Sequence, residues 1–405
     1  SCAERSCTEQ RSYKSVSLFS VTNILFWQLA RFYFVYYFFV GLFTPYWGLY
    51  LQSLEFNALQ IGFLLSLFQF SRIFAPNFWG WLADHTEERA RWIRFTALVG
   101  VIGFCGIFWA NTFVTMLVIM MAMSIFTSST LPLAESLTLA HLSSHKGDSS
   151  YSKIRLWGSV GFICAAFILG FIIDQLDINA VVWALLITQV AILGASMTIP
   201  EKKVQLLGVV RRPIISVIKN PQVIFVLIGC ALMVSSHGLL YNFYSIFLKS
   251  HNYSSFVIGC LWSIGVVCEI AIFLLMPKIL RRINVRQVVL ISLAFAVIRF
   301  YLIGAYVDHL LILIFAQMLH AATFGSFHVA SIHIIEHFFN KDHHARGQTL
   351  YNSITYGVGG AIGGLGGGFM IESVGAEMTF SFSALLPLVG FLIIFFGLKD
   401  FPKNI

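Results

Sequence analysis

Six ionisable side chains stand inside or beside long apolar runs of this 405-residue sequence: Arg72, Glu135, Arg155, Glu269, Arg299 and His320. A charge at the centre of a bilayer costs roughly 3 kcal/mol or more, so such a residue persists only when it is paired or lines a wet cavity. Glu135 and Glu269 are placed to carry a proton or to hold a solute. Their alternative role is an ion pair that ties helices together. Arg155 offers a planar fork of donors that a lysine cannot reproduce. Arg72 and Arg299 suit fixed counter-ions, and His237 and His328 suit helix interfaces.

A different chemistry is suggested by His333-Ile334-Ile335-Glu336-His337, which matches the inverted zinc-protease pattern His-x-x-Glu-His. Two histidines four apart on a helix share a face and could share a metal, with Glu336 as base. No acidic ligand on a clear second helix follows, and the segment ends an apolar run beside His343 and His344, where solvated histidines cost little. The seven cysteines form no Cys-x-x-Cys pair, so neither a zinc site nor a disulfide framework is indicated. The glycines crowded over 357–368 have no preceding strand, as a phosphate-cradling loop would need. They read instead as small residues that let membrane helices pack closely. No enzyme, metal or cofactor is therefore expected.

The elements that must position these residues are set by composition. Of the chain, 58% is apolar and only 11% charged, with a mean hydropathy of +0.81. A soluble domain carries about 25% charged residues, and the aromatic richness excludes a disordered chain or a nucleic-acid partner. Apolar runs of the roughly 20 residues needed to cross a bilayer recur at 31–51, 59–83, 92–110, 112–141, 152–174, 178–198, 222–248, 254–277, 287–305, 309–338, 346–371 and 376–398. The fold class is thus all-α integral membrane, with twelve spans. Breaks after even-numbered spans collect Lys and Arg, among them Arg89, Lys146, Lys203, Arg211, Arg212, Arg281 and Lys341; breaks after odd-numbered spans hold Lys249 alone, with Glu55, Asp174, Asp177, Asp308, Glu372 and Glu377. Excess positive charge marks the cytoplasmic side, so both termini face inward, and no cleaved signal peptide is indicated. The expected organisation is a cytoplasmic segment 1–30, a six-helix bundle 31–198, a linker 199–221, a second bundle 222–398 and a tail 399–405.

Sliding the chain by 197 positions places Gly41, Leu42, Leu51, Ser53, Ile61, Gly62, Leu64 and Ser66 on Gly238, Leu239, Leu248, Ser250, Ile258, Gly259, Leu261 and Ser263. The halves therefore read as a duplication, with a site near the midplane between them and access alternating as they rock. The same shift sets Arg72 opposite Glu269.

After the second span, Gly80-Trp81-Leu82-Ala83-Asp84, followed by Arg89 and Arg91, resembles the cytoplasmic signature of the major facilitator superfamily, although Glu88 stands where a basic residue is usual. There the glycine permits close helix approach, and the Asp can pair with Arg or stabilise a helix N-terminus. The strings around Arg72, Glu135, Arg155, Glu269 and His320 are similar to the 3-phenylpropionate permease branch, itself related to the lactose permease and to nucleoside:proton symporters. That resemblance implies a twelve-helix, two-bundle permease of a bacterial inner membrane, importing a small organic solute with protons by alternating access. It implies solute binding by Arg155, Phe162, Glu269, Arg299 and His320, proton coupling by Glu135 or Glu269, and a structural or gating role for Arg72, Gly80, Asp84 and Arg89. The related permeases' proton-carrying Glu falls here at Thr323, so coupling must use another acid. Phe162, in place of a sugar-stacking Trp, and the aromatics Phe32, Tyr33, Tyr36, Tyr37 and Tyr46 suit an aromatic carboxylate; a sugar or nucleoside is the alternative solute. The expected partners are the solute, protons and membrane lipid, and the chain is expected to act as a monomer.

The charge asymmetry makes a prediction for topology. Single cysteines at 55 and 375, in a background without native cysteines, should react with an impermeant thiol reagent in intact cells. Labelling of a cysteine at 210 under the same conditions would reverse the assignment.

Overall fold

The structure, a computed structural model, describes residues 2–142, 149–202, 215–339 and 344–399. Lys146, Lys203, Arg211, Arg212, Lys341, His343 and the 400–405 end of the tail lie outside the described residues. Among the described residues there is no strand, and twelve helices are long and apolar enough to cross a membrane: Ile24–Ser53, Ala58–Thr86, Arg89–Ile107, Phe113–Leu142, Tyr151–Gln175, Ala180–Met197, Pro221–Ser250, Ser255–Leu280, Val285–Ala305, Leu310–Phe338, Arg346–Val374 and Ala376–Gly397.

The largest departure from the sequence-based boundaries is at the first span, which starts at Ile24 rather than 31, within a helix that runs over Cys2–Ser53. Arg31 does not end the apolar stretch, because its guanidinium is held by Thr198 Oγ1 at 2.9 Å at the end of the sixth span. Helix starts are signalled by side chains that accept the unpaired N–H groups of a first turn: Asn57, Thr112 and Asn284 form reciprocal capping boxes with Gln60, Thr115 and Gln287, while Asn220 precedes Pro221 at the head of the seventh span.

Two spans break where a proline removes a donor from the helix ladder. Pro132 leaves the carbonyl four residues back without its partner, and the fourth span divides into Phe113–Thr127 and Thr130–Leu142. Pro387 does the same in the twelfth, divided into Ala376–Ser383 and Leu385–Gly397. The tenth and eleventh spans each carry a wide turn, Ala321–Ser326 and Asn352–Gly359, of the π type that often marks functional positions.

The halves meet along two seams, the fifth span against the eighth and the second against the eleventh. The residues matched by the 197-position shift occupy matching places. Gly41 of the first span lies against the Phe162 backbone of the fifth, and Gly238 of the seventh lies against the Gly360 backbone of the eleventh. Gly62 abuts Gly364 across one seam, and Gly259 abuts Ala166 across the other. At the ends of these seams on the face carrying the odd-numbered loops, Gly368 lies against the Ala58 backbone and Gly170 against the Ser255 backbone, and cross-half hydrogen bonds continue inward through Ser66 Oγ to Ala361 O at 3.4 Å and Ser353 Oγ to Ile73 O at 3.3 Å. The two bundles are thus closed against each other at the odd-loop face.

The eleventh span separates two kinds of glycine. A Cβ at Gly363 would collide with the Ser235 backbone, whereas one at Gly366 would meet nothing within 4 Å. Since alanine gains about 1 kcal/mol of helix propensity over glycine and overpacking costs about 1–3 kcal/mol, Gly366→Ala should keep or raise the thermal midpoint of the detergent-purified protein. Gly363→Ala should lower it. Equal midpoints would show that the spans do not approach this closely.

Candidate functional site

A cavity of about 340 Å³ lies between the halves, lined by side chains of both. Aromatic rings make up about a third of its lining, among them Tyr37, Phe162, Tyr241, Trp262, Phe324 and Tyr356. Into this lining project three guanidinium groups, Arg72, Arg155 and Arg299, and one carboxylate, Glu269.

In the N-terminal half, the fifth span carries Arg155 on the cavity wall, with its guanidinium carbon 3.9 Å from the centre of the Tyr37 ring on the first span. Gly158, one turn on, leaves room for both: its missing Cβ would lie 2.6 Å from the Tyr37 ring and 3.0 Å from Arg155 Nη1. Stacking occupies the face of the guanidinium and leaves its in-plane N–H groups for an acceptor. Glu135 is one turn beyond the break in the fourth span and accepts from Tyr151 Oη at 3.5 Å. The Tyr33 ring meets Tyr151 edge-on at 6.5 Å, and its hydroxyl lies 3.4 Å from Thr138 Oγ1, so the carboxyl sits in a wall of phenols.

In the C-terminal half, Arg299 is completely buried. Its Nη1 lies 3.2 Å from His237 Nε2, 3.1 Å from His320 Nδ1 and 3.0 Å from Thr323 Oγ1, and its Nη2 lies 3.1 Å from Gln317 Oε1. A guanidinium can only donate, so each histidine nitrogen facing it must offer a lone pair. His237 then carries its proton on Nδ1, which meets Met233 O at 3.0 Å. His320 carries its proton on Nε2, which points at Glu269 Oε2, 3.5 Å away. Both rings are thereby neutral, and Glu269 stands on the side of the His320 ring away from Arg299. The missing acid at position 323 is replaced by a hydroxyl that accepts from the same arginine, and a carboxylate from the eighth span stands on the far side of the histidine.

The structure thus brings together Arg155 and Phe162 on one wall and Glu269, Arg299 and His320 on the other. Arg72 lines the same cavity but is exposed and bonded to Gln69 Oε1 at 3.3 Å, so it is not the buried counterpart of Glu269 that the duplication suggests. Asp84, in the last turn of the second span, and Arg89, at the start of the third, form an ion pair across the short turn between them, and Gly80 has no neighbour that a Cβ would meet within 4 Å, so in this state it makes no close helix approach. His333 Nδ1 lies 3.6 Å from Glu336 Oε2 on the same helix, and among the described residues no three His, Cys, Asp or Glu side chains converge as a metal site.

Two participants escape the sequence reading. His237, read there as an interface residue, is a partner of Arg299, and Gln317 is another. The available signal was a histidine in an otherwise apolar span, which needs a buried partner wherever it falls. His328 also faces polar company: its Nδ1 lies 2.9 Å from Tyr356 Oη, and its ring stacks on Phe324, which stacks on His320.

This arrangement has known relatives. A sequence profile for the MFS_1 like family matches residues 26–382. A probable 3-phenylpropionic acid transporter of Escherichia coli (strain K12) is 30% identical over 359 residues, covering 86% of this chain and 91% of the relative. Nucleoside permease NupG of the same organism is 25% identical over 346 residues, covering 79% and 81%. A crystal structure of nucleoside transporter NupG shares the fold with a TM-score of 0.83 at 20% identity, over 93% of this chain and 100% of that one. With its twelve spans, its two bundles and a charged cavity between them, the chain belongs to the MFS_1 like family of major facilitator transporters.

Proposed function

We propose that this transporter imports a small aromatic carboxylate, such as 3-phenylpropionate, together with protons. The observation that carries the reading is Arg155, stacked on Tyr37 in an aromatic cavity with its N–H edges left for a carboxylate. The balance of charge agrees: three arginines and one glutamate line the cavity, a surplus that favours an anion over a neutral sugar or nucleoside. The similarity to a probable 3-phenylpropionic acid transporter points the same way.

In this reading the odd-loop face is outer, both termini are cytoplasmic, and the structure is the inward-facing state of a bacterial inner-membrane protein. A complete cavity is built from one chain, which supports a monomer as the working unit, with no cofactor and no catalysed bond-breaking. Glu135 and Glu269 are the acids placed deep within the spans, and one of them exchanges the coupled proton, a role the substitutions below assign to Glu135. Arg299 stays charged, its charge dispersed over neutral acceptors. His320 links it to Glu269, so that a change of protonation at Glu269 alters the hydrogen bonding of a residue on the cavity wall.

Vesicles given an inward proton gradient should accumulate labelled 3-phenylpropionate, and a protonophore should abolish the accumulation. Accumulation that follows sodium and ignores the protonophore, or that favours nucleosides, would reject the reading.

Glutamine mimics a permanently protonated carboxyl. Glu135→Gln should therefore lose energised accumulation while retaining solute-for-solute exchange. Arg155→Lys should weaken binding about tenfold or more, the size expected for a lost charge-assisted contact, and Glu269→Gln should weaken binding by disturbing the His320 and Arg299 side chains beside it. Normal uphill accumulation by both glutamine variants would remove both acids from the mechanism.

A further inference from the structure

Two acids that serve in the sequence only as markers of the odd-numbered breaks make bonds across the halves. Asp174, at the end of the fifth span, accepts the backbone N–H of Ser255 on Oδ1 and that of Phe256 on Oδ2, each at 2.8 Å. Glu372, near the end of the eleventh span, accepts the backbone N–H of Ala58 on Oε1 at 2.6 Å. Ala58 and Ser255 open the second and eighth spans and are matched by the 197-position shift. Asp174 and Glu372 correspond to within one residue under the same shift. One device has therefore been duplicated with the bundle.

The chemistry is the same at both ends. The first N–H groups of a helix have no partner within it, and they favour an anion. The N-cap side chains serve other donors, Asn57 taking Gln60 N and Ser254 taking Val257 N. Ala58, Ser255 and Phe256 are left for the carboxylates of the opposite half. Lys249 Nζ, 3.4 Å from Ser255 Oγ, adds a cation beside Asp174, and Tyr46 Oη completes that seam by donating to Ala166 O at 2.6 Å, with Ser255 O 3.1 Å away. Asp174 and Glu372 are both exposed at the rim, so water can take over their partners as the halves part. A bond of this kind is strong when made and cheap to exchange.

We propose that Asp174 and Glu372 are paired gate latches of the transport cycle, holding the odd-loop face shut and releasing when the cavity opens to that side. The inference rests on alternating access of the transporter, but on neither the solute nor the proton.

Spin labels at positions 109 and 311, both highly exposed at the odd-loop face and in opposite halves, would report the separation by double electron–electron resonance in nanodiscs, in a background without native cysteines. Asp174→Ala/Glu372→Ala should raise the ratio of long to short distances by about tenfold or more, with each single variant showing a smaller rise. Asp177→Ala should leave the distribution unchanged, since Asp177 accepts only locally, from Asn179 N at 2.6 Å. If the double variant does not fold, the single variants are read in the same way. An unchanged distribution would overturn the latch, and a lowered melting temperature beside it would reduce these contacts to ordinary stabilisation. The readout needs no solute, so a wrong solute or driving ion would leave a positive result standing.

Discussion

The arrangement of the C-terminal half follows from a buried positive charge with no carboxylate in contact among the described residues. Arg299 is completely buried, and its four bonded partners, His237, His320, Thr323 and Gln317, are neutral acceptors. Removing a cation from water is costly unless its donors are met; here Nη1 and Nη2 face four acceptors while Nε has no partner among the described residues, and two of those acceptors, the histidines, orient further groups. The two histidines must turn lone pairs inward, which directs the His237 proton to Met233 O and the His320 proton to Glu269. One buried guanidinium thus sets two tautomers and aims a third side chain at the cavity.

The N-terminal half answers with a different solution to the same constraint. Arg155 lies against the face of Tyr37 rather than within a cage, and Glu135 is met by a phenol. A cation stacked on an aromatic ring keeps its donor edge available. The two halves therefore offer unlike surfaces to one solute: an open arginine on one side, and a carboxylate wired to an enclosed arginine on the other. Close approach of backbone at Gly62, Gly259 and Gly364 lets the halves pack tightly along the two seams.

Much of this was legible in the sequence, for physical reasons. Apolar runs long enough to cross a bilayer have few alternative structures, so the spans were readable, and charges within them announced themselves as costly. The sequence is silent where a charge finds a partner far along the chain. The first span runs seven residues further back than its apolar pattern shows, because Thr198, 167 residues away, holds Arg31. The alignment of Arg72 with Glu269 carries position and not environment, and Arg72 faces the cavity beside Gln69. His237 was undervalued because its partner Arg299 is two spans distant. Asp174 and Glu372 looked like loop acids because their bonding partners lie 81 and 314 residues away.

The central claim of the proposed function is that solute binding is coupled to protonation of Glu135. It is tested most directly by adding solute to the detergent-purified protein in a lightly buffered solution near neutral pH and following a pH indicator. Binding of the aromatic anion should draw protons from solution, and Glu135→Gln should bind the solute with that uptake lost. Saturable binding by the unaltered protein with no exchange of protons would contradict the account.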